Sequence, residues 1–237
     1  MQTKKENPVL TMVIPVHNEE QILEEQALKL INYLRGVTHK FEILFIENGS
    51  TDGTMRIIYK LQRQFNFIRA IRLPKADYST AVIEGIKAAS GEFTIVLGID
   101  FVDIDVIGRC FNALKHADIV ICSKNKGLDK RSLINRLTNL TYNICVRLLF
   151  SLKYSDVEGY HGYKTEKIQG LVENVQTKAH LCNLWILLKA KKANMIVDEV
   201  PFIVYEKRRS KFMSIIRLPY LVFLTLFEFV KLKCNGY

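Results

Sequence analysis

Three aspartates follow an apolar run near the middle of the chain. Residues 93–97 carry no charge, which is typical of a strand buried on both faces of a parallel sheet, and Asp100, Asp103 and Asp105 come shortly after them. In open α/β sheets ligands bind at the carboxyl ends of the strands, where a carboxylate can hold a divalent ion against a phosphorylated substrate. For Asp103 and Asp105 we prefer another interpretation, the first turn of a helix, where the helix dipole favours acids.

The segments before this strand alternate between two hydrophobic patterns. Three apolar runs predict buried strands, and three segments with apolar residues at helical spacing predict helices. In chain order they are residues 9–16, 18–36, 41–47, 55–65, 67–73 and 78–89. We expect Pro15 to end the first strand and Asn18 to cap the first helix. The alternation predicts an α/β fold with a mostly parallel sheet and helices on both faces.

The second half of the chain has a less regular pattern. In chain order it predicts a helix at 106–116, a strand at 118–122, a basic loop at 124–131, a long helix at 133–152, a loop rich in glycine and tyrosine at 156–167, a helix at 180–192 and a strand at 195–205. A dense cluster of basic residues follows at 206–211.

The apolar segment 212–232 invites comparison with a membrane helix. Only ten residues between Arg217 and Glu228 are uncharged, whereas a span needs about 20 apolar residues, so we expect this segment not to cross a membrane. Its basic flanks suit a helix that lies in the headgroup interface. A helix packed against the protein core is an equally weighted alternative.

Composition narrows the class of protein. A chain of 237 residues, of which 49% are hydrophobic, can bury one sizeable core, and its net charge of +10 favours an anionic partner such as a nucleotide, a nucleic acid or an anionic membrane surface. The five cysteines form no Cys-x-x-Cys pair, which argues against zinc and against a disulfide framework and suits a reducing cytosol. The polar N-terminus predicts no signal peptide.

Several segments together resemble the family 2 glycosyltransferases of GT-A fold, and among them the polyprenyl-phosphate sugar synthases of the dolichyl-phosphate mannose synthase type. The resemblance spans about four fifths of the chain. The segments that carry it are residues 13–20, residues 42–54, Ala81 and Gly85 with the stretch 88–91, then Asn143, Asp156 and Gly159, and finally residues 199–201 with Ser210 and Lys211.

The resemblance implies a GT-A glycosyltransferase domain over residues 1–211, with a nucleotide-binding half at 9–122 and an acceptor half at 123–211. Asp100 aligns with the second aspartate of the family's Asp-x-Asp motif and is expected to bind Mg²⁺ or Mn²⁺ against the donor diphosphate. For Glu19 and Asp52, two of the donor-binding candidates, helix capping is the alternative. The full set of donor-binding candidates is Pro15, Asn18, Glu19, Glu47, Asp52, Lys75 and Asp77.

Four positions in the donor site depart from the family pattern. Gly98 stands where the family has the first aspartate of the metal motif, Glu47 replaces an aspartate, and Lys75 and Asp77 replace an asparagine and a glycine. Three interpretations follow: a metal held by Asp100 together with phosphates and waters, a metal-independent site that uses Lys75 and arginines, or a binding module that has lost catalysis.

Transfer to a sugar hydroxyl needs a general base, and we find no convincing Glu-Asp pair for this role after residue 118. An ionised phosphate acceptor needs no base. The resemblance therefore implies inverting transfer from a nucleotide-sugar to a polyprenyl phosphate at the cytoplasmic face of a membrane. A glycan acceptor is the alternative, with Asp156 or Glu158 as base. Nucleic-acid binding is not expected, and the oligomeric state stays open. Basic candidates for phosphate contacts, each of which could instead be a solvated surface charge, are Arg131, Arg136, Arg208, Arg209 and Lys211.

Overall fold

The computed structural model describes residues 7–100, 103–124, 126, 129–173 and 181–205. The predicted phosphate contacts at Arg208, Arg209 and Lys211 and the amphipathic segment 212–237 lie outside these ranges. In chain order the elements are β1 (Leu10–Val16), α1 (Leu23–Val37), β2 (Phe41–Asn48), α2 (Thr54–Gln64), β3 (Ile68–Leu73), α3 (Tyr78–Ala88), β4 (Phe93–Val96), α4 (Val106–Leu114), β5 (Ile119–Ser123), β6 (Asp129–Lys130), α5 (Leu133–Phe150), β7 (Tyr160–Lys164), α6 (Thr165–Val172), α7 (Cys182–Lys192), β8 (Val197–Pro201) and β9 (Val204–Tyr205).

The main sheet has seven strands in the order β3-β2-β1-β4-β7-β5-β8. Every neighbouring pair is parallel except that β7 runs antiparallel to both β4 and β5. The strand that carries Asp100 at its carboxyl end, β4, is therefore central, as the apolar run predicted. The predicted α/β architecture with a mostly parallel sheet is confirmed.

Two apolar layers cover the two faces of the sheet. On one face, side chains of α1, α2 and α4 pack against strand residues such as Met12 and Ile14; on the other, α3, α5, α6 and α7 pack against residues such as Val13 and Ile46. Successive residues of β1 thus serve opposite layers, as the two-residue repeat of a strand requires. This is why the strands carry unbroken apolar runs.

The prediction of a loop at 156–167 is wrong, because this segment contains β7 and the start of α6. The segment 160–164 reads Tyr-His-Gly-Tyr-Lys and has no apolar run, yet His161, Gly162 and Tyr163 are buried between β4 and β5. Its neighbours, not its own hydrophobicity, bury it. The strand predicted at 195–205 is likewise divided into β8 and β9.

Two predictions about helix starts had different outcomes. Asn18 does not cap the first helix, since α1 begins at Leu23 and Asn18 adopts a left-handed conformation with φ 56°. Asp105 does stand at the start of α4, and Asp103 accepts hydrogen bonds from the Arg109 guanidinium at 2.5 Å and from the Ile203 amide at 3.0 Å. The prediction that Asp103 and Asp105 belong to the start of a helix is therefore confirmed.

Helix α5 exposes a stripe of large apolar side chains, spaced three or four residues apart. We call it the α5 stripe; its members are Leu133, Leu137, Leu140, Ile144 and Leu148, which are between 44% and 79% exposed. Val146 and Phe150 on the other side of the helix are buried in the core. Of the helices within the described ranges, none is long and apolar enough to cross a membrane.

Candidate functional site

The turns after β1 and β2 are hydrogen-bonded to each other through short polar side chains. His17 Nδ1 lies 2.8 Å from the carbonyl oxygen of Asn48, the Asn18 amide donates to Ser50 Oγ at 3.0 Å, and the Thr51 amide donates to Asn18 Oδ1 at 2.8 Å. Asparagine tolerates the left-handed conformation that this turn requires. Asn18 thus joins the two turns at the carboxyl end of the sheet.

The acids that follow join the same two turns at the start of α2. Asp52 accepts from the Thr54 amide at 2.9 Å and from the Glu20 amide at 3.2 Å, while the Glu20 carboxylate accepts from the Gly53 amide at 3.0 Å. Partial burial would raise the pKa of Asp52, but the hydrogen bonds from Thr54 and Glu20 outweigh it and lower that pKa. The Glu19 amide donates to Thr54 Oγ1 at 2.9 Å. Asp52 thus lies one residue before the N-cap Gly53, and its carboxylate accepts from the first amide of α2, which is close to the capping role that the sequence left as an alternative.

Glu47 ends β2 with a fully buried side chain. Its carboxylate accepts a hydrogen bond from the Ser50 amide and lies 3.2 Å from Arg72 Nε on the neighbouring strand β3. The longer side chain that distinguishes it from the family's aspartate is used to brace its own turn. Arg72 offsets the charge of this buried acid.

The loop before α3 packs closely on the turn after β2. The Asp77 amide donates to Asn48 Oδ1 at 2.8 Å, and the Asp77 carboxylate accepts from the Thr80 amide at 2.9 Å, which caps α3. Gly49 has φ 68°, and a Cβ there would lie 2.9 Å from the Ala76 nitrogen, so the approach of the two loops requires glycine. Lys75 is exposed at this junction, directly before Ala76.

Pro15 occupies a central strand, a position from which proline is normally excluded. The carbonyls of Val9 and Val13 accept hydrogen bonds from Phe93 and Leu97, so the backbone groups of alternate β1 residues point toward β4. Pro15 is the next residue in this series, and β4 ends at Val96. The missing N–H therefore falls just beyond the ladder, at the open end of the sheet, where nothing in the strand pairing needs it.

Asp100, Gly98 and Tyr160 meet beyond the end of β4. Asp100 is exposed, and a Cβ placed on Gly98 would lie 3.0 Å from Asp100 Oδ1 and 3.0 Å from the Tyr160 hydroxyl oxygen. Tyr160 comes from β7, which pairs with β4 in the sheet. The space left by the family's first aspartate is thus bordered by a phenol.

The residues present fit a divalent ion only in part. No group of three or more His, Cys, Asp or Glu side chains suited to a metal occurs in the part of the chain that the structure describes. One exposed carboxylate, Asp100, suffices for Mg²⁺ when substrate phosphates supply further ligands. These ligands therefore fit a divalent ion that binds together with a substrate diphosphate.

Two of the predicted phosphate contacts, Arg131 and Arg136, lie within the described residues, and they differ in their partners and exposure. Arg131 is engaged by Asp129 in a two-pronged pair at 2.9 and 2.7 Å. Arg136 is exposed on the first turn of α5. Of these two arginines, Arg136 has the solvent access that binding an acceptor phosphate requires.

A buried polar cluster lies between α5, β5 and β7. Lys124 Nζ lies 2.9 Å from the Asp156 carboxylate and donates to the Glu158 carbonyl at 3.0 Å, while the Tyr142 hydroxyl donates to Glu158 Oε1 at 3.0 Å. Burial raises the pKa of Glu158 to about 7, and the neighbouring Asp156 adds to that rise. Burial lowers the pKa of His161 to about 4. Of this cluster the sequence singled out only Asp156 and Glu158, since Lys124 and Tyr142 are distant in the chain.

Comparisons with known proteins agree with this geometry. A family model described as glycosyl transferase family 2 matches residues 11–174. The dolichol-phosphate mannosyltransferase of Pyrococcus furiosus is 28% identical over 202 residues, covering 81% of this chain and 55% of that relative. A dolichyl-phosphate beta-glucosyltransferase of Trichomonas vaginalis is 22% identical over 207 residues, covering 81% of this chain and 64% of its own length. The chain thus spans between half and two thirds of these curated relatives.

Among solved structures, glucosyl-3-phosphoglycerate synthase from Mycobacterium tuberculosis, in complex with Mn²⁺, uridine diphosphate and glucosyl-3-phosphoglycerate, superimposes with a TM-score of 0.69 at 16% identity. The match covers 95% of this chain and 81% of that one. This likeness confirms the GT-A fold that the motifs predicted. Because this family model matches residues 11–174, more than half of the chain, the chain belongs to glycosyl transferase family 2.

Proposed function

We propose that the chain transfers a sugar from a nucleotide-sugar, linked to UDP or GDP, to a polyprenyl phosphate such as a dolichyl or undecaprenyl phosphate, with inversion at the sugar carbon. The observation that carries this proposal is the α5 stripe. It places exposed apolar surface on the same helix whose first turn carries Arg136. An acceptor with a phosphate head and an apolar chain would use both features at once. The two dolichol-type relatives support the same acceptor class.

The donor would bind at the carboxyl ends of β1, β2 and β3. The hydrogen-bonded turns around Asn18 and Asp52 form a rigid edge there, and Lys75 offers a positive charge. A preorganised polar edge of this kind binds a nucleotide without losing affinity to the ordering of loops. The uridine diphosphate bound by the structural relative supports a nucleotide donor for this chain.

In the proposed reaction an acceptor phosphate oxygen attacks C1 of the sugar while the bond from C1 to the diphosphate breaks. The acceptor oxygen is already ionised near neutral pH, so no side chain has to remove a proton. Negative charge grows on the departing nucleoside diphosphate. A divalent ion bound there would offset this charge as a Lewis acid, and Asp100 is the carboxylate that we expect to hold it.

The test is product formation with separated substrates. Purified protein is incubated with UDP-glucose, UDP-N-acetylglucosamine or GDP-mannose, with and without a polyprenyl phosphate, and the organic phase is analysed by mass spectrometry. A glycosylated lipid phosphate is expected with one donor. Donor binding without product under every combination would favour the non-catalytic binding module and would contradict this proposal.

The half-buried Glu158 favours a second candidate, transfer to a hydroxyl acceptor. Its pKa of about 7 is the value that suits a general base near neutral pH, and a hydroxyl acceptor, unlike a phosphate, needs one. One variant distinguishes the two candidate functions. Glu158→Gln would abolish transfer to a hydroxyl acceptor, whereas transfer to a lipid phosphate would persist.

A peripheral position on the cytoplasmic face of a membrane follows from the first candidate. The net charge of +10 would be attracted to anionic lipid headgroups, and the α5 stripe would enter the interface. Both features are needed, because surface charge alone binds soluble anions equally well.

A further inference from the structure

We propose that the Tyr160 hydroxyl takes the place of the absent carboxylate at position 98 and donates a hydrogen bond to the diphosphate of the bound donor. This inference rests on the proposed nucleotide-sugar donor. Tyr160 belongs to β7, a strand that the sequence pattern did not reveal, and its role would be that of a positioning residue for the leaving group.

The first argument is geometric. The Tyr160 hydroxyl oxygen and Asp100 Oδ1 each lie 3.0 Å from the point where a Cβ on Gly98 would stand, so both oxygens border the same small space at the end of β4. The next atom of the ring, Cε1, lies at 3.7 Å from that point, an ordinary packing distance. Of the Tyr160 side chain, the hydroxyl thus comes nearest to the position of a side chain on residue 98.

The second argument concerns rigidity. The Tyr160 ring packs against the buried ring of Phe202 with centroids 5.0 Å apart, and the Tyr160 backbone pairs with Cys122 of β5. A donor held in this way loses little conformational freedom when a ligand arrives, and preorganised donors are the effective ones for developing negative charge. An exposed lysine would lack this advantage.

The third argument concerns charge. A tyrosine phenol is neutral near pH 7, so it has a proton to donate and adds no negative charge of its own. With one carboxylate where the family has two, a diphosphate entering this space meets less repulsion, and its binding should depend less on a metal ion.

Calorimetric titration of UDP and of GDP, each with Mn²⁺ and with EDTA, tests this inference. Tyr160→Phe removes only the hydroxyl and should weaken binding of the preferred nucleotide about tenfold in both conditions, as expected for one hydrogen bond to a charged group. Tyr59→Phe, on the exposed face of α2, is the matched control and should bind like the wild type. The melting temperature of each variant verifies folding.

A second pair of variants tests whether the Tyr160 hydroxyl and an aspartate at position 98 can replace each other. Gly98→Asp alone should weaken binding, because its Cβ would crowd the Tyr160 hydroxyl. Combined with Tyr160→Phe, the same aspartate no longer meets the hydroxyl and supplies a second carboxylate beside Asp100, so Mn²⁺ should then increase nucleotide affinity by a larger factor than in the wild type. If Tyr160→Phe binds nucleotide as well as the wild type does, the inference is wrong while the donor proposal stands. If the wild type binds neither nucleotide, both are wrong.

Discussion

At the scale of single residues, the acids near the strand ends serve different purposes. Asp103 pairs with Arg109 and Asp52 accepts amides of two turns, whereas Asp100 is exposed at the end of the central strand. Glu47 is buried and braces its own turn. Residue type alone does not separate an acid that holds two turns together from one that stays exposed at a strand end.

Asp52→Ala should lower the free energy of unfolding by about 1 kcal/mol, the usual cost of a lost helix cap in an exposed, solvent-screened position. Asp52→Asn keeps an acceptor oxygen and should cost much less. The pKa of Asp52 is lowered in the folded protein, so its contribution is present above the unfolded pKa of about 4 and is lost as the pH falls through the folded value. Urea unfolding at pH 7 and pH 3 measures both effects. Equal losses for the two variants would contradict the capping role.

Glu158 gives the opposite pH dependence. Its folded pKa of about 7 exceeds the unfolded value of about 4.3, so the folded state binds the extra proton between these values and stability falls as the pH rises through this window. Glu158→Gln should remove this fall, and the variant should gain stability relative to wild type between pH 5 and pH 8. His161, whose pKa is lowered to about 4, acts in the other direction below pH 6.5 in both proteins and cancels in the comparison. A constant difference across that range would refute the assignment.

At the scale of elements, α5 connects the proposed lipid surface with the buried polar cluster. Its exposed side carries the α5 stripe, and Tyr142, on the same helix, donates to Glu158 beneath it. The helix thus has large apolar side chains on its exposed side as well as on its buried side. Such a surface indicates a partner, and a membrane is the partner that the proposed acceptor requires.

Replacing Leu137 and Leu148 together by glutamate should reduce binding to anionic vesicles by tenfold or more, since each side chain would lose about 1 to 2 kcal/mol of apolar burial. Leu28→Glu on α1, which lies on the other face of the sheet, is the control and should bind normally. Sedimentation with vesicles of phosphatidylglycerol and phosphatidylcholine gives the comparison. Unchanged vesicle binding with a lower melting temperature would instead mean that protein covers the stripe.

At the scale of the whole molecule, β7 joins the two halves of the sheet. It lies between β4 and β5, and one glycine within it and one directly before it let neighbouring residues approach closely. A Cβ on Gly159, just before β7, would lie 2.2 Å from the Cys122 carbonyl oxygen, and one on Gly162 would lie 2.4 Å from Cys110 Sγ. Glycine at these two positions therefore lets β7 pack closely against β5 and α4.

Gly159→Ala should destabilise the protein by about 3 kcal/mol, because the clash is with backbone and cannot be relieved by a side-chain rotation. Gly170→Ala provides the matched control within α6, where a Cβ meets nothing within 4 Å, and should stabilise by about 0.5 to 1 kcal/mol. Chemical denaturation of both variants measures the difference. Similar stability for the two would show that β7 does not hold the halves together as described.

The sequence by itself determined the parallel half of the sheet, its central strand and the helix start at Asp105, because apolar runs and helix starts are local properties of the chain. Only the tertiary structure decided the rest of the site. The strand β7 is buried by β4 and β5 although its own residues are mostly polar, and it carries Tyr160 to a position beside Gly98 and Asp100. Lys124, Tyr142 and Glu158 meet for the same reason. Such contacts arise from the packing of distant segments, and no local pattern encodes them.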